Sequence, residues 1–192
     1  MVLAVIPVRD GVLPAGGAEA AAECGGNVLL VGTDLAIAAM SIHGNVRLAE
    51  AGTYRPAAWA AALAPILADT PVIVLPASPD GRDLAPRLAA ELDRELFAGA
   101  IRVTPTSVVL ARDGGLHLHA VAPPDTFVAT LEVGVRGVEP ITHAAHLSNV
   151  VVDLEPAGHP DPVLAEVLEA DAATIDLAEA PRIVGGGAGL DG

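Results

Sequence analysis

Four short apolar runs, each parted from the next by a stretch of helical spacing, constrain this chain more than any other feature. Residues 2–8, 27–31, 46–51 and 72–75 are dense in valine, isoleucine and leucine. In most of them polar residues do not alternate with apolar ones. A strand with one wet face alternates, whereas a run that is apolar throughout is covered on both faces, as in a parallel sheet. Between the runs, residues 18–24 are alanine-rich and are closed by Gly25-Gly26. Gly32-Thr33-Asp34 offers an N-cap for a short helix over 35–42, which Gly44 stops. Residues 55–68 place Trp59, Leu63 and Leu67 four apart on one helical face, with Trp59 as a core anchor, and Thr70-Pro71 ends that helix. Four strands thus alternate with three helices. The expected fold is α/β: a three-layer αβα domain with a mostly parallel sheet.

The fourth run leads into Ala77-Ser78-Pro79-Asp80-Gly81-Arg82-Asp83. We expect a loop there, opening a helix over 84–97 with a core stripe of Leu84, Leu88, Leu92 and Leu96. Ligands of open α/β sheets bind beyond the carboxyl ends of strands, and a helix N-terminus attracts anions. Arg82 is therefore a candidate binding residue; the plainer alternative is a solvated side chain paired with Asp80 or Asp83. Beyond this point the texture changes. Residues 106–110, 116–122 and 127–133 are β-rich with no helix between them, and Asp113-Gly114-Gly115 is a hairpin signal. An antiparallel portion at an edge of the sheet follows. His117 and His119 share one strand face but lack a third ligand at evident spacing, so no metal site is assigned. His143 and His146 fit one helical face pointing to solvent, residues 149–154 a further strand, and His159-Pro160-Asp161-Pro162 a stiff linker.

Charge narrows the function. All ten basic residues are arginine against 24 acids, a net charge of −14. Such a chain has no basic patch with which to release counterions from nucleic acid or to dock on an anionic membrane. Its 52% hydrophobic content never gathers into a run of about 20 residues that would span a bilayer. The first residues are apolar but have no basic segment before them, so they read as a strand rather than a secretion signal. A cytoplasmic address is expected. Cys24 is the single cysteine, which fits a reducing compartment and a packed thiol rather than a nucleophile. Glu19 and Glu23, four apart, are expected to form one exposed acidic edge of the first helix.

The last residues, Ile183-Val184-Gly185-Gly186-Gly187-Ala188-Gly189-Leu190-Asp191-Gly192, pass from a strand-like pair into glycines. Gly187, Gly189 and Gly192 have the spacing G-x-G-x-x-G, which in a strand–turn–helix sets amides against a pyrophosphate. The same glycines also read as a plain glycine-rich chain end.

The segment Gly81-Arg82-Asp83-Leu84-Ala85-Pro86-Arg87-Leu88-Ala89-Ala90-Glu91-Leu92-Asp93 resembles the motif G-[KR]-D-hydrophobic-x-P-R-hydrophobic-A-x-x-L-D of the electron-transfer flavoprotein alpha subunit. The β-rich middle and the terminal glycines follow in that family's order. There a strand enters S-G-G-R-G-L, the start of the FAD domain; here the matching residues are Gly185-Gly186-Gly187-Ala188-Gly189-Leu190, with glycine for the serine and alanine for the arginine. The resemblance implies an α/β amino-terminal domain over residues 1–180 and the first strand and glycine turn of a truncated FAD-binding domain over 181–192. It implies FAD as cofactor of the complete protein, with Gly186, Gly187, Gly189, Leu190 and Arg82 as cofactor-binding candidates and no catalytic residue. It implies a heterodimer with an electron-transfer flavoprotein beta subunit. Such a pair takes electrons from a dehydrogenase and passes them to a quinone-reducing or other acceptor, as an electron carrier rather than an enzyme in its own right. The alternative is a flavin-free α/β scaffold or an adenine-nucleotide-binding domain.

Overall fold

The computed structural model describes residues 1–138, 143–154, 160–163, 165–166 and 182–183. The chain divides into two units, Met1–Asp161 and Pro162–Gly192, and every element named below lies in the first. The alternation expected from the apolar runs is present as β1 (Val2–Val8), α1 (Gly17–Glu23), β2 (Asn27–Gly32), α2 (Leu35–Ala39), β3 (Asn45–Glu50), α3 (Pro56–Leu67), β4 (Val72–Pro76) and α4 (Pro79–Glu91). Five strands follow: β5 (Glu95–Thr104), β6 (Ser107–Arg112), β7 (His117–Val121), β8 (Phe127–Leu131) and β9 (His146–Asn149).

The nine strands of the described residues form one sheet in the order β7-β6-β5-β8-β4-β1-β2-β3-β9. Only β6 runs against the rest: its pairings with β5 and β7 are antiparallel, and all the others are parallel. Successive side chains of β1 explain its unbroken apolar run. Ala4, Ile6 and Val8 enter a core shared with α1 and α2, while Leu3 and Val5 enter a second core under α3 and α4. The protein is thus an α/β fold of three layers. From β1 the chain steps outward through β2 and β3, then returns to lay β4 on the other flank of β1. The direction of winding reverses between β1 and β4, and an open α/β sheet parts there to leave a crevice.

Four expectations are corrected. First, α4 begins five residues early and stops early. Pro79 opens it, Ser78 caps it, and at its end the amides of Asp93 and Arg94 bond back to Ala90 and Ala89. Asp93 takes a left-handed φ of 51° to make that closure. Leu96 and Phe97 therefore belong to β5, not to a helical stripe. Second, residues 127–133 are not part of the antiparallel portion, because β8 lies parallel between β4 and β5 at the centre of the sheet. Its side chains are buried on both faces, and burial, not adjacency in sequence, decides its place. Third, His146 is on a strand. Its amide bonds to the Gly44 carbonyl at 2.8 Å, which starts β9 beside β3 three residues before the expected strand, and residues 150–154 lie outside it. Fourth, Glu19 and Glu23 are not an exposed acidic edge. Glu19 accepts hydrogen bonds from the amides of Gly134 and Arg136, and Glu23 accepts from the Val103 amide at 2.6 Å and pairs with Arg136 at 3.2 Å. Amides left unpaired by the sheet need acceptors, and these two carboxylates supply them.

Candidate functional site

The crevice between β1 and β4 is bridged by side chains that the fold brings from far apart. Arg9 follows β1, and Asp80 stands in the first turn of α4, just past β4. The Arg9 guanidinium donates from Nε to Asp80 Oδ2 at 2.5 Å and from Nη2 to Oδ1 at 2.6 Å, a two-point pair. It also lies over the Tyr54 ring, 4.6 Å from the centroid. Tyr54, from the loop after β3, donates its hydroxyl toward the Asp80 carbonyl at 2.9 Å, with Asp83 Oδ2 at 3.3 Å. The edge of that ring meets Trp59 at 5.1 Å, and the Trp59 indole donates to the Ala51 carbonyl at 3.2 Å. The only tyrosine and the only tryptophan of the chain thus form one wall.

Electrostatics follow from this packing. The bond to Asp80, more than any other influence, raises the affinity of the Arg9 guanidinium for its proton. Burial, followed by the charges of Asp83 and Asp80, pushes the Tyr54 phenol well above its ordinary range, so it is a neutral donor. Beside the wall is a cavity of about 140 Å³ bounded by Val8, Arg9, Asp10, Thr33 and Tyr54. That is room for a few waters; pockets for small-molecule ligands run to roughly 300–1,000 Å³.

The start of α4 is satisfied from within the chain. The Ser78 hydroxyl accepts from the Gly81 amide at 3.2 Å, and Asp80 supplies negative charge to the first turn. A phosphate arriving there would displace a cap and face Asp80 and Asp83. Gly81 itself has no alternative: a Cβ at that position would lie 1.9 Å from the Pro76 carbonyl oxygen. Arg82 is exposed, and among the described residues its side chain makes no hydrogen bond or ion pair. The two acids named as its partners are engaged elsewhere, Asp80 by Arg9 and Asp83 by Arg87 at 3.3 Å.

Gly186, Gly187, Gly189 and Leu190 lie outside the described residues. His117 and His119 are exposed on β7, and Asp113 approaches His117 Nδ1 to 2.9 Å. Among the described residues there is no group of three or more histidine, cysteine or acidic side chains able to hold a metal ion. Cys24 is buried at the carboxyl end of α1, and burial first, then the charge of Glu23, pushes its thiol up and keeps it protonated. A larger cavity of about 430 Å³ lies at the amino end of the sheet, between Gly25, Gly26, His43 and Arg136. The charge of Arg136 is already spent there on Glu23 and the Ala22 carbonyl.

Sequence reading singled out Asp80 to Asp83 but missed Arg9 and Tyr54. A signal was present, since both sit just past the carboxyl ends of strands, where such sheets carry their functional groups. No helix among the described residues is long and apolar enough to cross a membrane. Neither the known protein families nor the characterised proteins include a match to this chain.

Proposed function

We propose that this chain is the amino-terminal α/β portion of an electron-transfer flavoprotein alpha subunit, an electron carrier rather than an enzyme. The supporting observation is the position of Gly81-Arg82-Asp83-Leu84-Ala85-Pro86-Arg87-Leu88 in the first turns of α4, immediately beyond β4 and at the crevice. Gly81, Asp83, Leu84, Arg87 and Leu88 of the motif each have a use there. Gly81 admits the Pro76 carbonyl, Asp83 joins Arg87 to Tyr54, and Leu84 and Leu88 enter the core under α4. In this reading the complete protein holds FAD through a further domain that opens with Gly186, Gly187, Gly189 and Leu190. It pairs with a beta subunit of similar fold, and moves electrons from a dehydrogenase to a quinone-reducing or other acceptor. Its setting is cytoplasmic.

The adenine-nucleotide alternative is less well supported. A cavity of about 140 Å³ does not hold a nucleotide, and Asp10, Asp80 and Asp83 oppose a phosphate at that rim. The test is spectroscopic. The 192-residue chain, purified alone, is expected to be colourless and to titrate FAD weakly, because a pyrophosphate needs a helix start as well as glycines. The chain extended by a flavin domain and co-expressed with a beta-type partner is expected to be yellow. A colourless extended complex, or stoichiometric FAD on the short chain after gel filtration, would overturn the reading.

A further inference from the structure

Helix α3 lacks a cap of its own. Arg55 stands at the N-cap position with no side-chain bond, Pro56 fills the first turn, and no acid lies in that turn. The amides of Ala57 and Ala58 are the pair that an N-cap side chain would serve. Both are taken by Asp161, whose carboxylate accepts from Ala57 at 2.6 Å and from Ala58 at 3.2 Å, from more than a hundred residues away. Asp161 is also the last residue of the first unit. Prolines flank it at 160 and 162 and restrict the backbone on either side.

From these facts we infer that Asp161 is a pin: it clamps the chain to the start of α3 and so fixes the point at which the chain leaves the first unit. The carboxylate supplies what α3 is missing, two acceptors and a negative charge at the positive end of the helix dipole. The helix in return holds a residue that the local backbone alone would leave free. The stiff flanking prolines carry that fixation to the residues on either side. The pin sits where α3 leaves the β3 loop, at the carboxyl end of the sheet and on the same rim as Tyr54 and Arg9. The first unit therefore ends at the carboxyl end of the sheet, not at the opposite end. This inference stands whether or not the protein is a flavoprotein.

The experiment uses the full 192-residue chain and its single tryptophan. Trp59, one turn into α3, is the energy donor, and a dansyl group on Ala165→Cys is the acceptor; buried Cys24 stays unlabelled. Time-resolved transfer gives the spread of distances, and hydrogen exchange reads the amides of Ala57 and Ala58. Asp161→Ala is expected to speed exchange at those amides about tenfold, as the loss of a cap does. It should also widen the distance distribution. Adding Arg55→Ser, which gives α3 a local cap, is expected to restore slow exchange while the distribution stays wide. If Asp161→Ala leaves the distribution unchanged, there is no pin. If Arg55→Ser narrows it again, Asp161 only stabilises the helix. Either result would overturn the inference.

Discussion

Arg9 and Asp80, 71 residues apart in sequence, join the end of β1 to the start of α4 across the point where the sheet reverses its winding. Arg9 is more than half exposed, so the pair is screened by water and contributes modestly. A double-mutant cycle of Arg9→Ala and Asp80→Ala, read by urea unfolding, should give a coupling of about 0.5–1 kcal/mol that shrinks with added salt. A coupling of zero would mean that the crevice is held by Tyr54 and the backbone alone.

Gly81 and Gly25 form a matched test of two reasons for glycine. Alanine at 81 meets the Pro76 carbonyl oxygen at 1.9 Å, so α4 has to move off β4. Alanine at 25 meets nothing within 4 Å but must hold a φ of +60°. Overpacking should make Gly81→Ala cost about 3 kcal/mol, and the left-handed backbone should make Gly25→Ala cost about 1 kcal/mol. Equal costs, measured by denaturant unfolding, would refute the close approach of α4 to β4.

Glu23 holds β5 and the segment after β8 at once. Its side chain is 8% exposed, accepts the Val103 amide, and pairs with Arg136. Truncating it strands a buried donor beside a cation, so Glu23→Ala should destabilise by about 2–3 kcal/mol. Glu23→Gln keeps an acceptor for Val103 and should cost less than half as much. Thermal unfolding of the two variants side by side decides it.

Alkali should weaken the fold through two groups. The folded protein holds the Tyr54 phenol and the Cys24 thiol protonated above their ordinary values of 10.0 and 9.0. An unfolded chain that ionises first gains stability relative to the fold as pH rises. The contribution is therefore complete below pH 9.0 and is lost progressively above it. The urea midpoint should fall from that pH upward, and Tyr54→Phe should decline less steeply beyond pH 10.0. A midpoint flat to high pH would show that neither group stays buried.

Much of the fold was legible residue by residue. Val72, Ile73, Val74 and Leu75 are apolar in sequence because both faces of β4 are covered, and Trp59, Leu63 and Leu67 repeat at four because one face of α3 is. Local chemistry also announced the glycine stop after α1, where Gly25 and Gly26 take φ values of 60° and 77°. The site was half legible. The loop from Asp80 to Asp83 stood out for Arg82, with the two acids only as that arginine's alternative partners, and nothing local marks Arg9 or Tyr54 as the partners they have.

Amphipathic spacing and turn residues act within a few positions, so the sequence by itself determined the strand–helix alternation, the three layers and the parallel core. Partners far apart in the chain do not leave a local trace. That β8 lies beside β4 rather than in the hairpin, that Asp80 answers Arg9 and not Arg82, and that α3 takes its cap from Asp161 were decided only by tertiary structure. In each case a buried strand, a charge or an unpaired amide is satisfied by whatever the completed sheet places within reach, and only the folded chain sets that distance.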